Sequence, residues 1–333
     1  MSDAGASFFW TLPVDGDRRG PSARRNFIRD LRDERRDRFT DYDYLLQVSR
    51  AAESAGFTGA FVPWDERGDD SWIVAASLAR EVRRLVFLPE IQPGFTTPVY
   101  LAKISSSFQR LAGNRLAWKI DLERDPTVRR AHGDRLEGAD WFARAGEYLE
   151  AAKGVWTQEA FDYQGRFFAV EKGGLKGPLA GRPLPPTYTA GRSDEALSFA
   201  ARHADVHLLD GDEPAAVGAQ IERLDQAVAR QLASAPVEGA ARRVLKRGIR
   251  LSVIARHTAE EAREAVRRAG WESRPDLVAG SHAQVALRID ELAGLGIDRF
   301  VLDGTPHLEE AYRIGEHVFP KLTALAPPVA RAA

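Results

Sequence analysis

The sequence has no cysteine at all, which excludes disulfides, thiolate metal sites and cysteine nucleophiles. Histidine is also scarce, with 7 residues in a chain of 333. The pair His203 and His207 has the spacing of two ligands on one helix face, but Asp205 and Val206 between them begin a predicted strand. We therefore expect no zinc or other metal site. The missing cysteine fits a cytosolic protein.

Neither sign of charge dominates, since 47 lysines and arginines are balanced by 48 acidic residues. This balance provides no field that would attract nucleic acid or an acidic membrane surface. No apolar run approaches the roughly 20 residues that a membrane-spanning helix needs. The N-terminal stretch MSDAGASFFW lacks the basic start and apolar segment of a secretory signal. We expect a soluble, cytoplasmic protein without nucleic-acid or membrane partners.

Apolar, β-branched runs alternate with helix-period stretches along nearly the whole chain, which is typical of a parallel sheet covered by helices. The pattern predicts strands at residues 7–12, 59–63, 84–89, 116–120, 187–190, 206–209, 248–254 and 299–302. It predicts helices at residues 41–55, 72–80, 98–111, 141–156, 193–203 and 308–322. Because an open doubly wound sheet usually has fewer repeats, we predict a closed α/β fold, a (β/α)8 TIM barrel that forms one domain over residues 1–333.

Two segments interrupt this pattern. Residues 16–40 form a long, arginine-rich loop after the first strand, in which acidic residues offset the positive charge. Its composition indicates a solvated, partly helical excursion with internal ion pairs, and the alternative is a lid or a subunit contact over the barrel mouth. Residues 160–186 contain a second, smaller excursion that resembles a hairpin.

In barrels of this kind the chemistry lies where strands end and the following loops begin. That rule selects the polar residues at the predicted strand ends. They are Asp15, Trp64, Asp65, Glu66, Glu90, Gln92, Lys119, Asp121, Gly191, Arg192, Ser193, Asp210, Arg250 and Asp303.

The segment GIDRFVLDGTPHLEEAYRIGEHVFPKL at residues 296–322 resembles the C-terminal region of alkanesulfonate monooxygenases, which belong to the luciferase-like flavin monooxygenase superfamily. Other segments are similar in the expected order, including AAESAGFTGAFVP at 51–63 and TTPVYLAKISSSFQRLAGNRL at 96–116. The resemblance implies a luciferase-like TIM barrel and reduced FMN supplied by a separate flavin reductase. It also implies O2 as co-substrate and a homodimer or larger homo-oligomer.

The resemblance assigns the flavin phosphate to Gly191, Arg192 and Ser193. A glycine before a helix N-terminus offers free N–H groups and the positive end of the helix dipole. The guanidinium of Arg192 adds a positive charge that can bond two phosphate oxygens. In the alternative interpretation Ser193 is only the helix N-cap and Arg192 a surface residue. Trp64 and Glu90 are further candidates for cofactor contacts.

Other cofactor positions depart from the family pattern. The stretch from Asp121 to Arg124 has no glycine where relatives have a Thr-Gly turn against the cofactor, and Phe142 stands in place of a tyrosine that contacts phosphate. Lys119 and Asp121 introduce charges near the expected ring system. They are either a core ion pair or active-site groups, and both interpretations stay open.

The substrate site is also changed. Arg250 and His307 match family positions, whereas Asp15, Gly68, Ser252 and Thr305 replace residues of different chemistry. The long insertion that closes over sulfonate is absent, because residues 254–297 hold only one helix pair and a short linker at 271–280. In the alternative interpretations, Arg250 forms an interior ion pair with an acid such as Asp121, and His307 is a residue at the start of a helix with a structural hydrogen bond. Sulfonate cleavage is therefore not carried over.

Three functions are compatible with these residues. The first is a flavin-dependent monooxygenase with a changed substrate, in which Trp10, Trp64, Phe95 and Trp118 line a dry pocket. Its candidates for acid-base work are Asp15, Lys119, Asp121, Arg250 and His307. The second is a barrel that has lost FMN binding and serves as a flavin-independent enzyme, a ligand-binding protein or a non-catalytic subunit. The third is a deazaflavin-dependent oxidoreductase.

Overall fold

The computed structural model describes residues 6–18, 38–39, 41–234 and 244–323. The chain groups into two compact units. The first takes in residues 1–87, 210–218 and 247–333, and the second takes in residues 88–209 and 219–246. Of the arginine-rich excursion predicted at residues 16–40, residues 19–37 and 40 lie outside the described part of the chain.

The strands and helices of the described residues alternate along the chain. The strands are β1 (Ser7–Thr11), β2 (Asp17–Arg18), β3 (Arg38–Phe39), β4 (Gly59–Val62), β5 (Val86–Ile91), β6 (Trp118–Ile120), β7 (Phe161–Gln164), β8 (Ala169–Gly173), β9 (Thr187–Ala190), β10 (Val206–Asp210), β11 (Lys246–Arg256), β12 (Leu277–Ser281) and β13 (Arg299–Asp303). The α-helices are α1 (Tyr42–Ala55), α2 (Ser71–Leu78), α3 (Pro98–Leu111), α4 (Pro126–Ala131), α5 (Gly138–Thr157), α6 (Asp194–His203), α7 (Pro214–Ser234), α8 (Ala259–Ala269), α9 (His282–Gly294) and α10 (His307–Arg313).

The first unit contains a parallel sheet in the order β4-β1-β13-β11-β12. The central residues of β1, β4 and β13 are buried, which explains why these strands are nearly continuous apolar runs. Phe8 of β1 stacks on Phe300 of β13 with ring centroids 5.1 Å apart. The two ends of the arginine-rich excursion, β2 and β3, pair with each other in antiparallel register.

The second unit contains the parallel pairings β5-β6, β6-β9 and β9-β10. Trp118 of β6 donates its indole N–H to Ser105 Oγ of α3 at 2.9 Å. Its neighbours along the chain, Ala117 and Lys119, therefore point away from this helix, since successive side chains alternate between the faces of a strand. The predicted excursion at 160–186 contains the antiparallel hairpin of β7 and β8.

The hydrogen-bonded strand order is β10-β9-β6-β5-β4-β1-β13-β11-β12, and β10 also pairs with β11. Eight parallel strands thus follow one another in a closed order, each followed by a helix. The predicted (β/α)8 barrel class is confirmed. Among the helices in the described ranges, none is long and apolar enough to span a membrane.

Three of the differences from the predicted elements lie in the C-terminal half of the chain. β12 lies in the stretch predicted as a linker at 271–280, where Ser252–Arg256 of β11 provides a parallel partner for a run too short to stand out in the sequence. Helix α7 was not predicted. The last helix stops at Arg313 and continues as a π-helical turn over Ile314–Val318, so it does not run unbroken to residue 322.

Candidate functional site

A cluster of charged residues lies at the ends of β5 and β6 in the second unit. Glu90 pairs in register with Lys119, and the next residue on the same face is Gln92 after β5 and Asp121 after β6. All four side chains are buried. Strand alternation thus brings two acids, a lysine and an amide onto the face opposite Trp118. We call these four residues and Arg124 the Lys119 cluster.

Each charge of the Lys119 cluster is paired inside it. Lys119 Nζ lies 2.6 Å from Glu90 Oε1, and Arg124 bridges the two acids with contacts of 3.1 Å to Glu90 Oε2 and 2.7 Å to Asp121 Oδ2. Burial alone would raise the pKa of the Asp121 carboxyl, but Lys119 and Arg124 hold it below its usual range. The cluster therefore contains two carboxylates and two cations, and its formal charge is zero.

Gln92 contributes one bonded and one unbonded polar atom to this cluster. Its Nε2 donates to Asp121 Oδ2 at 2.7 Å. Its Oε1 is buried and has no hydrogen-bond partner within the described part of the chain. Since a buried carbonyl oxygen without a donor is costly, this atom marks the Lys119 cluster as a candidate binding site.

The loop between β9 and α6 carries the predicted phosphate residues, also in the second unit. Gly191 has φ of +130°, and a Cβ there would lie 2.7 Å from that of Ala196, so only glycine fits. His207 fixes the loop, with Nδ1 3.0 Å from Thr189 Oγ1 and Nε2 3.2 Å from the carbonyl oxygen of Gly191. The loop is thus held in a shape that leads directly into a helix N-terminus.

Ser193 and Arg192 follow this glycine. Ser193 caps α6 by accepting from the N–H of Ala196 at 3.1 Å, which agrees with the N-cap interpretation. The Arg192 carbonyl accepts from Arg223, which also pairs with Asp194 at 2.9 Å, and the Arg192 side chain is exposed. A serine N-cap and phosphate binding are compatible, because the cap uses a hydroxyl lone pair and leaves other N–H groups of the first turn for an anion.

A second network surrounds His307, entirely within the first unit. His307 Nδ1 lies 2.7 Å from Asp17 Oδ1, and Nε2 lies 2.9 Å from Asp303 Oδ1. The His307 backbone N–H donates to Asp17 Oδ2 at 2.8 Å, and the Tyr44 hydroxyl donates to the same oxygen in a short bond. The imidazole ring is therefore held between two carboxylates, each bonded to one of its nitrogens.

This arrangement fixes the charge of the imidazole. Burial would lower the pKa of His307, but its attraction to Asp17 and its bonds to Asp17 and Asp303 outweigh burial and raise the pKa to about 10. Burial also opposes ionisation of Asp17, whose pKa is nevertheless held below its usual range by His307 and Tyr44. At neutral pH the pair is an imidazolium and a carboxylate.

The network continues to the linker predicted at 271–280, where the sequence pattern indicated no site residue. Arg274 Nη1 lies 3.7 Å from Asp303 Oδ2, and its guanidinium makes two bonds of 3.0–3.1 Å to Asp276. Asp276 in turn accepts from the Ser252 hydroxyl at 2.7 Å. We call this chain of residues, from Tyr44 through His307 and Arg274 to Ser252, the His307 network.

The remaining predicted site residues lie outside these two groups. Arg250 pairs with Asp210 at 3.1 Å, an acid other than the Asp121 that its alternative interpretation named as an example. Asp15 lies 3.6 Å from the exposed Arg67. Trp64 is half-buried. Inside the Lys119 cluster, Lys119 pairs with Glu90 and Asp121 pairs with Arg124, which also contacts Glu90.

Two of the aromatic residues expected to line a pocket face elsewhere. Trp118 is completely buried against α3. Trp10 is also fully buried, and its ring packs on Phe57, 5.1 Å away, and on the edge of His307. Strand alternation turns both indoles toward the helices, so the expectation for these two residues is wrong. Phe95 stacks on His132 at 5.2 Å.

Several residues of the His307 network have no clear signal in the sequence. Asp17, Tyr44, Arg274 and Asp276 carry this network, yet none follows directly after a predicted strand. Asp17 lies only two residues beyond Asp15, and the signal that points to it is the second acid of the Asp-Gly-Asp stretch. Arg274 and Asp276 lie beside the strand that was missed.

Comparisons with known proteins agree with this fold. The family model described as luciferase-like monooxygenase matches residues 10–292. A riboflavin lyase solved with modified FMN and riboflavin is 17% identical with a TM-score of 0.75, over 95% of this chain and 91% of that one. EDTA monooxygenase from Chelativorans sp. BNC1 is 18% identical with a TM-score of 0.73, over 97% and 96% of the two chains.

A third similar structure uses a different cofactor. The coenzyme F420 dependent tetrahydromethanopterin reductase from Methanopyrus kandleri is 12% identical with a TM-score of 0.72, over 96% of this chain and 99% of that one. At these identities the likeness to solved structures is one of fold. The family match, in contrast, covers most of the chain.

Proposed function

This chain belongs to the luciferase-like monooxygenase family, and we propose that it is a flavin-dependent monooxygenase that uses reduced FMN and O2 on a small organic substrate. The family match makes the chain an oxidoreductase. The observation that supports flavin in particular is the Lys119 cluster, which offers a buried, unpartnered acceptor on Gln92 beside paired cations at the ends of β5 and β6. A neutral ring with both N–H and carbonyl groups suits such a surface.

The residues present fit the parts of FMN. Gly191, Arg192 and Ser193 form the phosphate end, where glycine at φ +130° lets the backbone approach an anion. Lys119, Arg124 and Gln92 form the polar end for the ring, with Glu90 holding the two cations. Trp64 is a further candidate for ring contact. When bound and reduced, the cofactor would supply the electrons for O2 activation.

The His307 network holds a proton at a fixed position. Because Asp17 and Asp303 bond both ring nitrogens, the imidazolium keeps one orientation and retains its proton. Arg250 is paired with Asp210 and about one-third exposed. It is the candidate for contact with an oxygen atom derived from O2 or with a polar group of the substrate. Asp15, in the loop after β1, is the candidate base.

The substrate we propose is not an alkanesulfonate. In the described part of the His307 network the carboxylates of Asp17, Asp276 and Asp303 outnumber the cations His307 and Arg274. This excess of negative charge opposes an anionic substrate. The closer relation to alkanesulfonate monooxygenases within the family stays a prediction, as do a homo-oligomer and a partner flavin reductase.

A titration tests the proposal. Purified protein is mixed anaerobically with reduced FMN, and in parallel with oxidised FMN and a deazaflavin, while flavin fluorescence and melting temperature are followed. We expect saturable micromolar binding of reduced FMN. O2 is then admitted with a panel of neutral, cationic and sulfonate substrates, and products one oxygen atom heavier are sought by mass spectrometry.

A second candidate function is a deazaflavin-dependent oxidoreductase. The F420-dependent reductase of the same fold favours it. Saturable binding of the deazaflavin without binding of FMN would replace the first proposal by this one. Absence of binding to all three cofactors would contradict both and favour a barrel that has lost flavin chemistry.

A further inference from the structure

The amide of Gln92 has a defined orientation. Asp121 is ionised and carries only acceptor atoms, so the Gln92 atom 2.7 Å from Asp121 Oδ2 must be the donor Nε2. Turning the amide over would set its carbonyl oxygen against the carboxylate. Oε1 is therefore the atom left without a donor in the described part of the chain.

Gln109, another buried glutamine of the same unit, shows the ordinary arrangement. Its Nε2 donates to the Pro183 carbonyl at 3.0 Å, and its Oε1 accepts from the Leu116 N–H at 3.2 Å. Both polar atoms of that amide are hydrogen-bonded to the protein. Gln92 is equally buried, at 5% exposure against 2% for Gln109, but only one of its ends serves the fold.

The neighbours of Oε1 restrict what can satisfy it. Arg124 Nε and Gln92 Nε2 bond the same oxygen of Asp121, each at 2.7 Å, so the amide lies beside the guanidinium. Lys119 belongs to the same cluster. An ammonium ligand at this oxygen would lie beside the Arg124 guanidinium, and a carboxylate ligand would face the Gln92 oxygen. An uncharged group with an N–H between two carbonyl oxygens meets both requirements.

We infer that Gln92 is a cofactor-recognition residue whose Oε1 accepts the imide N–H of the flavin ring, while the adjacent cations face the flanking carbonyl oxygens. The inference rests on the proposed function, because it takes the flavin as the ligand. The imide N–H is common to FMN and deazaflavins, so Gln92 recognises the ring edge and not the identity of the central ring.

Four titrations test this inference. Wild type and Gln92→Leu are each titrated anaerobically with the reduced forms of FMN and of 3-methyl-FMN, in which a methyl group replaces the imide hydrogen. Dissociation constants come from flavin fluorescence and are checked by the ligand-induced shift in melting temperature. We expect wild type to bind FMN about tenfold more tightly than the methylated analogue. Gln92→Leu is expected to bind the two about equally, and FMN more weakly than wild type does.

Gln109→Leu is the matched control, since it removes a buried amide of the same unit whose two ends bond only to the protein. It should keep the tenfold preference even where it lowers the melting temperature. Equal binding of FMN and 3-methyl-FMN by wild type overturns the inference and leaves the proposed function standing, as does a preference that survives in Gln92→Leu. No binding of either flavin by wild type overturns both. The comparison of the two flavins in wild type requires no variant to fold.

Discussion

The Lys119 cluster and the His307 network use the same kinds of residue for different ends. In the Lys119 cluster two acids and two cations cancel, and the unsatisfied atom is a neutral carbonyl oxygen on Gln92. In the His307 network three carboxylates meet two cations, and the chain of contacts runs from the buried imidazole out to Arg274, which is 37% exposed. The first arrangement suits the recognition of a neutral polar edge, and the second suits the retention of a proton.

Among the variants that test this comparison, substitution of Lys119 should cause the largest loss of stability. Lys119→Met leaves Glu90 buried with Arg124 as its remaining cation, so we expect the free energy of unfolding to fall by about 3 kcal/mol. Arg67→Met is the control, because Arg67 is exposed and its loss should change stability by about 0.5 kcal/mol or less. Urea denaturation measures both. Similar small losses for the two variants would show that the Lys119 cluster contributes no more than a surface pair.

The pH dependence of stability tests the His307 network. The pKa of His307 is about 10 in the folded protein against 6.5 in the unfolded chain, so folding binds the proton more tightly. The resulting stability is fully present below pH 6.5 and is lost as the pH rises through 10, with a slope of up to about 1.4 kcal/mol per pH unit.

His307→Gln should remove this slope and lower stability at pH 7 by about 2 kcal/mol, since Asp17 and Asp303 lose their shared cation. The measurement is urea denaturation at a series of pH values in both proteins. Parallel pH profiles for wild type and variant would mean that the imidazole does not hold the extra proton.

Gly191→Ala tests whether the loop between β9 and α6, in the second unit, binds the cofactor. The new Cβ meets that of Ala196 in a backbone with φ of +130°, so we expect about 1–2 kcal/mol of destabilisation and FMN binding about tenfold weaker. Gly218→Ala is the control, because nothing lies within 4 Å of the added Cβ and Gly218 lies within α7. Unchanged FMN affinity in Gly191→Ala would separate this loop from the cofactor.

Arg192→Ala carries the smallest expected effect. The exposed guanidinium should add a few-fold to FMN affinity through the phosphate, equivalent to less than about 1 kcal/mol, and nothing to riboflavin affinity, because riboflavin has no phosphate. Fluorescence titration of both flavins measures this difference. An FMN affinity that does not change with Arg192→Ala would restrict the phosphate site to backbone groups.

The fold was predictable because nearly every strand of the barrel is a local apolar run. Thr187–Ala190 and Pro98–Leu111 have the predicted bounds, since a buried strand and a proline-started helix are both set by neighbouring residues. β12 was missed because a short strand beside a helix cap depends on its partner, Ser252–Arg256, for its identity.

The site was predictable only in part. Glu90, Lys119, Asp121 and His307 lie at strand or helix ends, where barrel geometry points. Their pairing depends on register and on side chains from distant segments. Asp17 reaches His307 across 290 positions of the sequence, and no local pattern records such a contact.

The short ladder of Asp17–Arg18 with Arg38–Phe39 has one more consequence. It pairs Asp17 with Phe39 and Arg18 with Arg38, so a change in this pairing acts directly on the backbone of Asp17. Asp17 belongs to the ladder and also bonds the ring of His307. The NMR resonances of the His307 imidazole should therefore shift when the pairing of Asp17 with Phe39 is disrupted.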